Sequence, residues 1–266
     1  MSSAPVKHIL AVALLLGAVA LLAFAFHSRR STAPMSFKKD AGHWDRKAHS
    51  AEPRSRSEAL AKLRHYPSPQ TVQTFVRALA DPDPPVVAQA ARGLARHPDQ
   101  PKVRKEALTP LMQHLERDPK QVSTTVKFAV IKALQEVGDP RALNALKNQV
   151  VAENSVAADA AWAIGRLRDG KTGRIPPAAE DALIAYLFSP IPKIRQGAIL
   201  GLQTGGTERA LAELKRLAAD PFHGIPREYL KSPIAEIGLP KPEMIAGPCR
   251  EAIKAIEARL KKPEKN

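Results

Sequence analysis

The chain has 266 residues, one cysteine and a formal net charge of +15 at pH 7. A single cysteine excludes an intrachain disulfide and every zinc or iron–sulfur site that needs several thiolates. The positive charge favours an acidic partner, whereas an aromatic content of 5% is too low for an extended base-stacking surface.

An uncharged stretch of 18 residues, 9–26, follows a short N-terminal flank of residues 1–8. As a helix it is roughly 27 Å long, which is close to the hydrocarbon thickness of a bilayer. The stretch therefore predicts a transmembrane helix or signal anchor. Its Ala23-Phe24-Ala25 sequence also matches the small-x-small pattern of a signal peptidase site, so a cleaved segment is the alternative.

The charges on the two sides of this segment favour opposite topologies. Lys7 precedes it, as in exported proteins, but Arg29, Arg30, Lys38 and Lys39 follow it and oppose translocation by the positive-inside rule. We expect a single-pass protein of a bacterial inner membrane with its C-terminal domain in the periplasm. A domain on the cytoplasmic side is the alternative.

Residues 27–55 contain seven Lys or Arg against three Asp or Glu and lack apolar periodicity. Such a segment buries too little apolar surface to offset the entropy lost on ordering. It predicts a disordered basic linker with a mean reach of roughly 30 Å.

From residue 56 onward one apolar pattern recurs in four segments, 86–94, 126–134, 156–164 and 194–202. Each has hydrophobic residues at i, i+4 and i+8, which form one stripe of a helix, and a small residue before the last of them. Weaker copies occur at 58–63 and 252–256. Self-similarity at intervals of 30 residues and more indicates a helical solenoid.

The segment 137–150, "VGDPRALNALKNQV", predicts how two helices of one repeat are joined. Gly138 favours the left-handed conformation that ends a helix. Asp139 is suited to cap the next helix, and Pro140 tolerates its first position because the missing N–H has no partner there.

Two segments carry a family resemblance, "VKFAVIKALQEVGDPRALNALKNQVV" (126–151) and "IRQGAILGLQTGGTERALAELKRLAAD" (194–220). Both resemble HEAT-like repeats of the bilin-lyase type. The resemblance extends over residues 56–262, with 263–266 left as a tail. It implies an all-α fold, a right-handed α-solenoid of five to six helix pairs.

The resemblance also implies that the second helix of each pair lines a concave binding face. The candidate partner-binding residues on these second helices are Arg77, Arg117, Lys147, Asn148, Lys215 and Arg216. They predict an acidic protein partner. The alternative is an ordinary solvated charged face.

The interval 219–247 contains five prolines and no sustained helical period, so we expect a Pro-rich insertion before the last helix. Phe222, His223 and Tyr229 in this interval are further candidates for partner binding. The alternative is that the insertion only packs against the end of the solenoid.

No catalytic residue, metal site, cofactor or small-molecule substrate is expected. None of the eight histidines precedes a glutamate, and no Gly-rich phosphate loop is present. The sequence thus predicts a membrane-anchored, non-catalytic scaffold for protein–protein interaction. One alternative is polyanion or nucleic-acid binding, since residues 56–266 contain 33 Lys and Arg against 23 Asp and Glu. A lyase-like or repair enzyme, with Asp159 and Trp162 one helical turn apart, is the other.

Overall fold

The computed structural model describes residues 35–97, 106–117, 122–152, 155–224 and 242–261, with only the backbone of residues 35–39. These ranges are helical and contain no strand. Their α-helices are α1 (Met35–Lys47), α2 (Pro53–Leu63), α3 (Pro69–Ala78), α4 (Pro84–Ala95), α5 (Leu108–Glu116), α6 (Thr124–Val137), α7 (Leu143–Val151), α8 (Ala157–Ile164), α9 (Pro177–Tyr186), α10 (Pro192–Gly205), α11 (Leu211–Ala219) and α12 (Glu243–Leu260).

The helices form a stacked array of repeats. Each of the first helices α2, α4, α6, α8 and α10 packs against the first helix of the following repeat, and α12 completes this row. Each second helix also packs against the first helix that follows it in the chain. This arrangement confirms the predicted α-solenoid.

The repeated hydrophobic positions lie in the core, as predicted. The last position of each pattern is at most 1% exposed, at residues Leu63, Leu94, Leu134, Ile164, Leu202 and Ile256. They belong to one continuous hydrophobic core. A single stripe on each helix thus supplies the contacts that stack the repeats, because one helix pair cannot bury both of its faces.

The predicted junction between α6 and α7 is confirmed. Gly138 has a left-handed backbone with φ of 65°, and its N–H donates to the Leu134 carbonyl oxygen at 2.9 Å. The Asp139 carboxylate accepts a hydrogen bond from the Arg141 backbone N–H at 2.9 Å. A short 3₁₀ turn, Pro140–Ala142, then leads into α7.

The prediction of a disordered linker at 27–55 is wrong for its C-terminal part. Residues 35–47 form α1, which packs against α2, and α2 begins at Pro53, before the predicted start of the repeats at residue 56. Trp44 contacts the hydrophobic core, and the Thr74 hydroxyl donates to the Asp45 carboxylate. These contacts with the first repeat offset the ordering entropy that argued for disorder.

The predicted insertion at 219–247 is too long at its C-terminal end. α12 begins at Glu243 and contains Pro248. Ile245 and Cys249 are buried in the core, so this helix has a packed apolar face. Residues 225–241 lie outside the described residues.

The predicted membrane segment 9–26, its flank 1–8 and the first part of the linker also lie outside the described residues. Within the described ranges, no helix has both the length and the apolar character to cross a membrane.

Glycines bring α8 and α10 into backbone contact. Gly197, Gly201 and Gly205 lie at i, i+4 and i+8 on α10 and so share one face. A Cβ atom at Gly165, which follows α8, would overlap the carbonyl oxygen of Gly201, and one at Gly197 would overlap that of Ala158. Only glycine allows this separation of the two helices.

The N-terminal repeats are joined by side chains instead. The ring of Phe75 on α3 occupies the space that a Cβ atom at Gly93 of α4 would need. The buried His114 Nε2 donates to the Leu79 carbonyl oxygen at 2.7 Å, and the buried Gln149 Nε2 donates to the Leu115 carbonyl oxygen at 2.8 Å. Each of these two bonds joins consecutive second helices.

Candidate partner-binding surfaces

The predicted row of basic residues begins in the N-terminal repeats with Arg77, Arg117 and Lys147. Arg77 lies on α3 and is exposed, and Lys147 and Asn148 lie on α7 with Asn148 exposed and Lys147 half-buried. Among the described residues, no carboxylate lies within ion-pair distance of Arg77, Arg117 or Lys147. These three positive charges are therefore available to a partner.

Arg117 does not lie on a helix face, contrary to the prediction. α5 ends at Glu116, and Arg117 follows it with an extended backbone, φ −66° and ψ 154°. Its side chain is exposed and lines a small cavity of about 70 Å³ together with Asp81 and His114.

The C-terminal part of the row differs because its charges are paired. Lys215 Nζ lies 3.2 Å from Glu257 Oε1 on α12, and Arg216 Nη1 lies 2.6 Å from Glu213 Oε1. Ala185 occupies the equivalent position of α9 and is exposed. Among the described residues, the basic side chains of the row thus have no carboxylate partner in the N-terminal repeats, whereas those in the C-terminal repeats are paired.

Phe222 and His223 follow α11 and are half-buried. The His223 ring packs edge-on against Phe188 with 6.0 Å between ring centroids, and the buried Arg195 guanidinium donates to the Pro221 carbonyl oxygen. These contacts hold the start of the predicted insertion against the solenoid. Tyr229 lies outside the described residues.

The sequence analysis missed a second group of candidate residues, large apolar side chains on the first helices that are only partly buried. Phe128 on α6 and Leu200 on α10 are each 40% exposed. Trp162 lies on α8, which is the first helix of the repeat between those of α6 and α10. Lys132 Nζ lies 4.2 Å from the centroid of the Trp162 ring, a cation–π contact. Aromatic or aliphatic residues at positions 128, 162 and 200 were the available signal.

Asp159 lies in the first turn of α8. Burial raises the pKa of its carboxyl group, and the positive charge of Lys132 partly opposes this rise. Trp162 is half-buried and engaged with Lys132, which fits a packing role.

The described residues contain no cluster of three His, Cys, Asp or Glu side chains that could hold a metal ion. Cys249 is buried, and burial raises the pKa of its thiol to about 11. Because the thiolate is the nucleophilic form, burial disfavours a nucleophilic role for Cys249.

Comparisons with known families support the repeat architecture. HEAT repeats match residues 46–125, and the PBS lyase HEAT-like repeat matches residues 156–189. The chain carries HEAT-like repeats. The second match covers α8 and α9, whereas the two segments that carried the resemblance in the sequence lie on either side of it.

Solved structures share the fold. An engineered protein is similar over 82% of this chain and 99% of its own, with 18% identity and a TM-score of 0.52. A designed armadillo repeat protein in complex with the peptide (KR)4 is similar over 80% of this chain and 98% of its own, with 17% identity and a TM-score of 0.50. At identities this low, the similarity shows only that the fold is shared. No curated protein matches the sequence.

Proposed function

We propose that the protein is a membrane-anchored, non-catalytic scaffold whose HEAT-like repeats bind an acidic segment of another protein. The observation that carries the proposal is the set of positive charges at Arg77, Arg117 and Lys147, which have no carboxylate partner among the described residues. The net charge of +15 supports it, because a basic surface attracts acidic partners and accelerates their association.

The fold is suited to this role. Stacked repeats present an extended surface along which a peptide can lie. The designed armadillo relative is in complex with the peptide (KR)4, which is basic. The surface of this chain is itself basic, so the segment that it binds is rich in Asp and Glu.

The test is fluorescence anisotropy of a labelled peptide rich in Glu, with the full-length protein in detergent. The triple variant Arg77→Glu, Arg117→Glu, Lys147→Glu is expected to bind the peptide at least about ten-fold more weakly. Each exposed ion pair contributes about 0.2–1 kcal/mol, and about 1.4 kcal/mol corresponds to a factor of ten.

The control is a second triple variant with the same change in net charge at the exposed residues Lys62, Lys171 and Lys193. It is expected to bind the peptide within a factor of two or three of the wild-type protein. Equal loss in the two triple variants would show that net charge, and not this surface, determines binding.

A DNA oligonucleotide in the same assay addresses the alternative that the net positive charge favours, nucleic-acid binding. DNA that binds more tightly than the acidic peptide, with an association constant that falls steeply with salt, would show that the partner is a polyanion and not a protein.

The proposed location is an inner membrane, with residues 9–26 as the anchor and the repeats in the periplasm. Protease added to intact spheroplasts is expected to digest the repeats, as followed by immunoblotting. Protection of the repeats would place them on the cytoplasmic side, where Arg29 and Arg30 act as topology determinants, and would favour the nucleic-acid alternative.

A further inference from the structure

A pocket of about 250 Å³ lies where the ends of α8 and α10 meet the last turns of α12. Three arginines line it, Arg168 and Arg174 from the connection after α8 and Arg259 from α12, together with Thr204, Ile175 and Ile256. The volume exceeds the roughly 10–15 Å³ that one water molecule needs more than ten-fold. The pocket is therefore large enough for a small ligand with a polar and an apolar part.

Backbone carbonyls hold the Arg168 guanidinium in place. Its Nη1 donates to the carbonyl oxygens of Gly165 and Leu167, each at 2.8 Å, and its Nη2 donates to that of Thr204 at 3.2 Å. Three of its five N–H groups are thus used, and the other two have no acceptor among the described residues.

Arg259 is held in the same manner from the other side. Its Nη1 donates to the Gln203 carbonyl oxygen at 2.7 Å, and its Nη2 donates to those of Leu202 at 3.4 Å and Gly206 at 2.8 Å. The other two N–H groups of Arg259 have no acceptor among the described residues. Both guanidinium groups are therefore oriented before any ligand arrives, which lowers the entropy lost on binding.

Neither guanidinium has a carboxylate partner among the described residues. Arg56 pairs with Asp81 and Arg166 pairs with Glu136, but within this part of the chain neither Arg168 nor Arg259 forms an ion pair. No Asp or Glu among the described residues lines the pocket. Burial lowers the pKa of Arg168, and the positive charges of Arg166 and Arg259 lower it further.

The helix ends compensate only part of this charge. The carbonyl groups belong to the C-terminal ends of α8 and α10, each equivalent to roughly −0.5 of an elementary charge. Together they offset about one of the two positive charges of Arg168 and Arg259. About one positive charge is left uncompensated, with Arg174 at the exposed side of the pocket. The charge and the four unused N–H groups suit an anion.

We propose that this pocket binds an oxyanion, a phosphate or carboxylate group of a small ligand whose apolar part contacts Ile175 and Ile256. Charge-assisted hydrogen bonds from arginine to phosphate or carboxylate are roughly twice as strong as those between neutral groups. None of these residues belongs to the surface of Arg77, Arg117 and Lys147, so the site does not depend on the proposed function.

The test is isothermal titration calorimetry of the full-length protein in detergent, with inorganic phosphate and, separately, succinate at constant ionic strength. Saturable one-to-one binding of at least one anion is expected. Phosphate alone would identify a phosphorylated ligand, succinate alone a carboxylic acid, and both a general oxyanion site. Binding of neither would overturn the proposal.

A variant that supplies an internal anion localises the site. Leu260 lines the pocket and is 53% exposed, so Leu260→Glu is expected to fold and to place its carboxylate near Arg259. We expect it to weaken anion binding at least ten-fold, whereas the matched Leu260→Gln variant stays within about two-fold of the wild-type protein. Arg259→Gln, which keeps a donor for the Gln203 carbonyl oxygen but removes the charge, is expected to show the same loss. Unchanged binding in Leu260→Glu and Arg259→Gln would place the anion elsewhere and refute the proposal.

Discussion

The N-terminal and C-terminal repeats share one sequence pattern but are joined by different contacts. In the N-terminal repeats the side chains of Phe75, His114 and Gln149 fill the space between helices or bridge them. In the C-terminal repeats the backbones of α8 and α10 touch at Gly165, Gly197 and other glycines. The repeated apolar stripe therefore fixes which residues are buried, whereas the small residues decide how closely two helices approach.

The difference predicts how each half tolerates change. A side chain in the way can adopt another rotamer or be trimmed by mutation, but a backbone carbonyl has no such freedom. Tightly packed interiors transmit the resulting strain. The C-terminal half should thus be the more sensitive to small insertions of volume.

The largest effect is expected for Gly165→Ala. The added methyl group would overlap the Gly201 carbonyl oxygen, so α8 and α10 must move apart, at a cost on the order of 2–3 kcal/mol. Thermal and urea unfolding of the purified protein measure the loss. Gly42→Ala is the control, because nothing lies within 4 Å of a Cβ atom there and alanine inside α1 is expected to stabilise by about 0.5–1 kcal/mol. Equal stability of Gly165→Ala and wild type would contradict the backbone contact.

A smaller effect is expected for Gly93→Ala, where the obstacle is the Phe75 ring. We expect a loss of about 1–2 kcal/mol. In the double variant Gly93→Ala, Phe75→Leu the smaller side chain leaves room for the methyl group, so the two losses should not add. A double-mutant cycle is expected to give a favourable coupling of about 1 kcal/mol. Strict additivity would mean that the ring and the methyl group do not compete for the same space.

The smallest expected effect is a dependence of stability on pH, and it differs between the two halves. Burial lowers the pKa values of His97 and His114 below the ordinary 6.5, and both lie in the N-terminal repeats. The unfolded chain binds protons more readily than the folded one in this range, so the stabilisation is complete above about pH 6.5 and is lost as the pH falls through the folded-state pKa values. The described part of the C-terminal repeats contains no buried histidine.

Hydrogen exchange followed by mass spectrometry, repeat by repeat at pH 7 and pH 5, measures this difference once the intrinsic exchange rates are corrected for. Protection is expected to fall more in α3, α4 and α5 than in α8 and α10. The double variant His97→Gln, His114→Gln should show a smaller difference between the two pH values. If protection falls uniformly along the chain, and by the same amount in the variant, these histidines are not the cause.

Much of the fold was predictable because it follows from local rules. The spacing of Val126, Val130 and Leu134 specifies one buried stripe of a helix, and the Gly-Asp-Pro sequence at 138–140 specifies where the chain turns. The candidate surface was predictable only as a set of basic positions. Whether each charge is free depends on residues far along the chain, such as Glu257 beside Lys215.

The helix α1 shows why composition alone misled the prediction. Its segment is basic and short of apolar residues, so it appeared unable to offset its ordering entropy. Trp44 nevertheless packs on the core, and Lys47 pairs with Glu58 at 2.7 Å. The end of a solenoid exposes an apolar face, and a segment with a few well-placed contacts is sufficient to cover it.

The sequence by itself determined the repeat, its helical nature, the caps of its helices and the excess of positive charge. These features depend on residues within one or two turns of each other, where spacing fixes geometry. Only the tertiary structure decided which arginines are paired, how closely α8 and α10 approach, and that Arg168 and Arg259 meet in one pocket. Those outcomes depend on residues as much as 91 positions apart in the chain. The packing of the whole array sets the distance between two helices, so no local pattern encodes it.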